Sequence, residues 1–287
     1  MSVTRFAPAK INLCLYVGRP NVEGRHPLDS LVVFARDVGD SLSASRADDL
    51  TMTINGPFAE ALPVSEDNLV LRAARALASQ YGVSQGAALT LDKHLPIASG
   101  IGGGSADAAA ALLALNDLWG LRASLGELEG IAARLGADVP ACVRARTVRM
   151  TGTGEEIVPV AFPPVHAVLA NPRAPASTGA VYRAFDDAAL GAEKLASSSP
   201  PTSSADALGW IAAQTNDLEP AALVVAPVIG VVLATLRRHA PPDALVRMSG
   251  SGATCFALLA DREAAAQLMI AVNAAQPDWW ARATILG

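Results

Sequence analysis

Apolar and polar positions along the chain switch repeatedly between a period of two and a period near 3.6, so strands and helices are expected to intermix. Residues 3–17 alternate around Ile11, Leu13, Leu15 and Val17 and predict a strand. Leu31–Phe34, Ser41–Ser45 and Leu50–Ile54 predict three more, separated by turns at Gly39-Asp40 and Asp48-Asp49. Asn68 stands where it can cap a helix that carries Leu69, Ala73, Ala76 and Leu77 at helical spacing. A strand over 87–91, helices over 105–119 and 124–135, and a strand pair over 143–151 and 156–160 complete the first half.

The second half repeats the mixture. Strands are predicted over 167–171, 245–248, 254–259 and 280–286, and helices over 177–188, 205–214, 225–239 and 262–273. The stretch 196–205, rich in serine and proline, predicts an exposed loop. No internal repeat is visible. The pattern predicts an α+β protein of two domains, 1–160 and 161–287, meeting near residues 150–165 around a cleft.

Composition narrows the function. A net charge of −5 argues against a nucleic-acid surface, though it leaves room for local binding of anions through N–H groups and a few cations. No apolar run reaches the roughly 18 residues of a membrane span. Arg5 and Lys10 bracket too short a segment, with Pro8 inside it, for a secretory signal. Cys14, Cys142 and Cys255 are far apart among apolar neighbours, which predicts buried thiols and a cytoplasmic protein.

The run Pro96-Ile97-Ala98-Ser99-Gly100-Ile101-Gly102-Gly103-Gly104-Ser105-Ala106 carries the strongest chemical signal. Its glycines let backbone N–H groups approach a ligand closely. The alanine-rich segment that follows, to Trp119, predicts a helix whose first turn adds free donors and the positive end of its dipole. That combination suits phosphate. It is not a P-loop, because Gly104 rather than lysine precedes Ser105, and not a dinucleotide fingerprint, because Ser105 holds the third glycine's place.

Three further segments draw notice. Lys10 interrupts the apolar strand Ala7–Leu13, either as an edge residue facing water or paired with a carboxylate. Asp138, in Gly136-Ala-Asp-Val-Pro140, is either that partner or the cap of the turn that follows. Met248–Thr254 is either a tight turn or a second set of N–H and hydroxyl donors facing the glycine loop across the cleft.

Taken in order, Pro8–Leu13, Gly100–Ala110, Gly136–Pro140 and Met248–Thr254 resemble the GHMP kinase superfamily over nearly the whole chain. The resemblance implies an N-terminal domain like ribosomal protein S5, a ferredoxin-like C-terminal domain, and ATP with Mg²⁺ as cofactors. It implies that Pro96–Ala106 holds the ATP phosphates, that Asp138 is the catalytic base and that Lys10 assists it. Gly136–Pro140 and the triple glycine favour the branch that phosphorylates the 2-hydroxyl of a cytidine-diphospho sugar alcohol for non-mevalonate isoprenoid synthesis. A mevalonate- or homoserine-type kinase and a non-catalytic ligand-binding relative are the alternatives. For the substrate, the resemblance points to Asn12, His26, Tyr182, and Ser249, Gly250, Ser251, Gly252 and Thr254.

Arg25 stands where the family has tyrosine, and the approach Arg19–Glu23 is about one residue longer than usual. Arg25 either stacks on the base through its guanidinium plane or faces solvent and leaves stacking to Tyr182. The Mg²⁺ ligands are not assigned; Ser105 and Asp107 are the nearest candidates. The expected partner is a small molecule, with no nucleic acid and no membrane, and the chain is expected to act as a monomer or homodimer.

Overall fold

The computed structural model describes residues 2–192 and 204–287. Contacts divide the chain into two compact units. One comprises the chain through Lys10, Val38–Ile97 and Gly102–Arg146, and the other Ile11–Asp37, Ala98–Ile101 and Thr147–Gly287. Two long strands, β1 (Ser2–Val17) and β2 (Leu28–Ala47), each contribute one half to each unit.

In the first unit the second half of β2 pairs antiparallel with β4 (Gly86–Asp92), from Ser41 opposite Asp92 to Ala47 opposite Gly86. On the far side of β4 lies β3 (Leu50–Asn55), parallel to it. Four helices accompany this sheet: α1 (Leu69–Tyr81), α2 (Gly103–Trp119), α3 (Leu125–Ala133) and α4 (Val139–Arg144). The expected cap of α1 is present, with the Asn68 side chain accepting from the N–H of Val70. Ser124 and Glu127 form a reciprocal capping box on α3. The alanines of α2 are buried nearly all round, as expected of a helix packed on several sides.

Two expectations fail here for physical reasons. Gly39-Asp40 is not a turn, and β2 runs through it unbroken. A Cβ at Gly39 would lie 2.6 Å from the Phe6 ring, so this glycine marks a close approach between strands. The strand expected from 143 begins only at Val148, because residues 143 and 144 end α4 and Ala145 closes it in the left-handed conformation.

The second unit is built on an antiparallel sheet. The first half of β2 meets β10 (Trp280–Leu286), followed by β7 (Val165–Asn171), β9 (Cys255–Leu259) and β8 (Leu245–Met248). A side branch, β5 (Val148–Thr151) with β6 (Glu156–Pro159), pairs with residues 30–32 of β2. The helices are α5 (Thr178–Asp187), α6 (Ser204–Ala212), α7 (Glu219–Val225), α8 (Val228–His239) and α9 (Arg262–Ala275). Phe185, Ile229, Val232, Leu236, Leu268 and Val272 meet in its core.

The helix expected over 225–239 begins only at Val228, because Pro227 stands at its cap, and α7 just before it was not expected. The loop expected over 196–205 falls outside the described residues except for its last two, which open α6. All three cysteines are buried thiols, and burial pushes Cys14 up to about 11.

Glycine substitutions separate the two uses of glycine in the first unit. Gly39→Ala should lower unfolding free energy by about 1–3 kcal/mol through overpacking. Gly130→Ala, in α3 with nothing within 4 Å of the new methyl, should raise it by up to about 1 kcal/mol. Urea denaturation of the two variants checks both signs.

Candidate active site

Lys10 is buried in β1 beside the fully buried Ala9 and Ile11, a position that demands a partner for its charge. It has one: Nζ lies 2.9 Å from Asp138 Oδ1. Asp138 occupies the cap position of α4 but its side chain makes no capping bond; Pro140 in the first turn already lacks an N–H. The carboxylate turns to the lysine instead. The lysine side chain is 4% exposed and the carboxylate 40%, so the cation is enclosed while the anion keeps an open side. A carboxylate held this way can accept a proton from an alcohol brought to that side.

The same lysine lies against the glycine loop. Gly102 takes the left-handed conformation, φ 63°, as cap of α2, and a Cβ there would fall 3.0 Å from Lys10 Cβ and 3.1 Å from its Cε. Only glycine leaves room for the lysine stem. Having no side chain, Gly102 supplies no capping acceptor, so the first-turn amides of α2 are available to an anion. The loop therefore fits a polyphosphate group.

The middle of the loop, Ala98–Ile101, belongs to the second unit and is bonded directly to the turn Ser249–Thr254. Thr254 N–H donates to Ser99 O at 3.0 Å and Ser249 Oγ donates to Gly100 O at 3.1 Å. A Cβ at Gly100 would lie 2.6 Å from the carbonyl oxygens of Gly252 and Ser249. Ser249 Oγ also accepts from the Asn12 N–H, and Asn12 Nδ2 donates to Ser30 Oγ. Thr254 Oγ1 accepts from Asn171, and Ser251 Oγ bonds Thr178 Oγ1. Of the three hydroxyls only that of Ser249 bonds the loop; those of Thr254 and Ser251 are taken by Asn171 and Thr178.

The sequence reading missed one charged cluster in the first unit. Lys93 Nζ sits 2.6 Å from Asp40 Oδ2 and 2.6 Å from Asp107 Oδ2, with all three side chains buried. Burial, together with the nearby Asp40 charge and despite Lys93, pushes the Asp107 carboxyl up to about 7, and its Oδ1 has no hydrogen-bond partner. Asp107 is thus committed to Lys93, which removes it as an open metal candidate; Ser105 remains half-buried at the loop. Among the described residues no group of three or more His, Cys, Asp or Glu side chains is placed to hold a metal ion. The signal was present: Lys93 ends an apolar strand and Asp107 stands alone in an alanine run, the same discomfort that singled out Lys10.

In the second unit His26 is nearly enclosed. Its Nδ1 lies 2.8 Å from Gly18 O, so that nitrogen carries a proton, and Nε2 lies 3.4 Å from Asp186 Oδ2. The Tyr182 ring is 4.9 Å away and tilted by 46°, with Phe185 edge-on at 6.0 Å. Arg25 is on the surface and pairs with Glu23, on a turn that Asn21 organises by accepting from the N–H groups of Glu23 and Arg25. Of the two arrangements open from sequence, this geometry has Arg25 in solvent and Tyr182 beside His26.

Comparison with known proteins places the chain in a family. The models for the GHMP kinase N-terminal domain and GHMP kinase C-terminal domain match residues 68–146 and 195–278. A 4-diphosphocytidyl-2-C-methyl-D-erythritol kinase from Parvibaculum lavamentivorans is 50% identical over 287 residues, covering 99% of this chain and 98% of the relative. One from Caulobacter vibrioides is 47% identical over 290 residues, covering 98% of each. A crystal structure of 4-(cytidine 5'-diphospho)-2C-methyl-D-erythritol kinase superposes with a TM-score of 0.78 at 30% identity, covering 99% of both chains. A homoserine kinase from Cytophaga hutchinsonii shares the fold at 21% identity, with a TM-score of 0.71 over 100% of this chain and 94% of that one. The chain belongs to the GHMP kinase family. It is accordingly an ATP-dependent kinase of α+β architecture.

Asp107 gives a pH signature. Its carboxyl is raised from 3.8 to about 7 in the folded protein, so the folded state holds that proton more tightly than the unfolded state. The stabilisation is full below about pH 4 and is lost as pH rises through 7. Asp107→Asn should flatten the fall in unfolding free energy between pH 5 and 8, read by urea titration at each pH.

Proposed function

We propose that this chain transfers the γ-phosphoryl group of ATP to the 2-hydroxyl of 4-diphosphocytidyl-2-C-methyl-D-erythritol, a step of non-mevalonate isoprenoid precursor synthesis. The observation that carries the reading is the Lys10–Asp138 contact at 2.9 Å, with Lys10 lying against the glycine that opens α2. A kinase of this kind needs a phosphate cradle, a base and a cation beside the base, and these residues supply all three.

In this reading Asp138 accepts the proton of the substrate hydroxyl as the phosphoryl group arrives. Lys10 holds Asp138 in place and stabilises the reacting oxygen. The amides of Pro96–Ala106, those of the first turn of α2 above all, hold the phosphates. Mg²⁺, bound with the nucleotide, would supply positive charge to offset that of the phosphates. His26 and Tyr182 receive the cytosine, with His26 oriented by Gly18 O and Asp186. Arg25 has no part in stacking. Asn12 and the turn Ser249–Thr254 border the substrate through backbone and amide groups, since the turn's hydroxyls are engaged by Gly100 O, Thr178 and Asn171. The enzyme works on a free small molecule in the cytoplasm, as a monomer or homodimer, and engages neither nucleic acid nor membrane.

Phosphate transfer measured with 4-diphosphocytidyl-2-C-methyl-D-erythritol, mevalonate and homoserine in parallel should show turnover with the first alone. Turnover with mevalonate or homoserine instead would move the chain to another branch, and none with any would favour a ligand-binding relative. Asp138→Asn should lower kcat by about 10²–10⁴-fold while ATP affinity persists. Near-normal turnover in that variant would remove Asp138 as the base. Tyr182→Ala should raise KM for the cytidine substrate by about tenfold, the worth of one lost stacking contact, and leave KM for ATP unchanged.

A further inference from the structure

The buried trio of Lys93, Asp40 and Asp107 has a geometry that stability alone does not explain. The three side chains are 3%, 0% and 2% exposed. Enclosing two carboxylates and an ammonium costs solvation that their attraction only partly returns, and apolar side chains of the same volume commonly hold such a position at least as well. The ammonium is also badly placed for the helix. A Cβ at Gly103, the first residue of α2, would lie 3.1 Å from Lys93 Nζ. A cation there faces the positive end of the helix dipole.

The trio nonetheless ties together both ends of the glycine loop. Asp40, on β2, uses Oδ2 for Lys93 and Oδ1 for the backbone N–H groups of His94 at 2.6 Å and Leu95 at 2.8 Å. His94 and Leu95 lead straight into Pro96, where the loop begins. Asp107 stands in the second turn of α2, past the loop's end, and accepts from the same Nζ at 2.6 Å. One ammonium thus joins the strand, the entry to the loop and the helix that leaves it.

The geometry points to Lys93 as a positioning residue for the nucleotide. Held by Asp40 and Asp107, it fixes the entry and exit of the glycine loop, so that the amides that receive the triphosphate are presented in one geometry. The inference rests on the reading of that loop as the ATP site. It separates Lys93 from Lys10: the first serves the nucleotide, the second the base.

The test is ATP binding by titration calorimetry, with steady-state kinetics in both substrates, on the full-length wild type, Lys93→Met, and the double variant Asp40→Asn/Lys93→Met. The double variant removes both charges of the pair and so leaves no unpaired lysine partner at Asp40. Kd and KM for ATP should rise by roughly 10–100-fold in both variants, with kcat and KM for the alcohol substrate within about threefold. A double variant that binds ATP as wild type does overturns the inference. So does an equal loss in ATP affinity, alcohol KM and kcat, or a double variant with no cooperative melt, since each assigns the trio to the fold alone. A wild-type protein that does not bind ATP removes the reading of the loop itself, and this inference with it. Wild-type binding with an unaffected double variant removes only the inference.

Discussion

A buried ammonium must be met by a carboxylate, and much of the first unit is arranged around doing this twice. Lys10 meets Asp138 and Lys93 meets Asp40 and Asp107. Each pairing joins segments far apart in the sequence: β1 to the start of α4 in one case, and β2 to the end of β4 and to α2 in the other. Both lysines lie against a glycine at the start of α2, Lys10 at Gly102 and Lys93 at Gly103. The glycines are thus doing two things. They free the backbone for a ligand, and they make room for side chains that carry charge to the loop from elsewhere.

The two pairs differ in exposure, and that difference divides their chemistry. Asp138 keeps an open side, so its second oxygen can meet a hydroxyl. The Lys93 trio is closed to solvent on all members, so it can act only through what it positions.

How much was legible beforehand follows the same physics. Lys10, Asp138 and the loop were readable because charge in an apolar strand and glycine before a helix are local signals. The final strand, Trp280–Leu286, fell where its alternation put it. What failed was punctuation. Gly39-Asp40 has the composition of a turn, yet its glycine answers a neighbouring strand and its aspartate a lysine 53 positions away. Nothing local distinguishes that from a bend. The start of α8 was legible in Pro227, but α7 is a short helix of seven residues, too brief to show a period of its own. The surface placement of Arg25 depended on Glu23 and Asn21 acting together, which no spacing rule anticipates.

The alanines of α2 have one more consequence. A methyl group has no rotamer freedom to lose, so the alanine-rich first half of this helix becomes ordered with little side-chain entropy cost. Bulkier neighbours such as Leu69 and Leu95 lie against its first turn. The amides at its start are therefore presented by a narrow, stiff rod whose conformation is settled before any ligand arrives. A ligand that binds those amides, as the proposed reading has the nucleotide do, would then spend less of its binding free energy on ordering the protein.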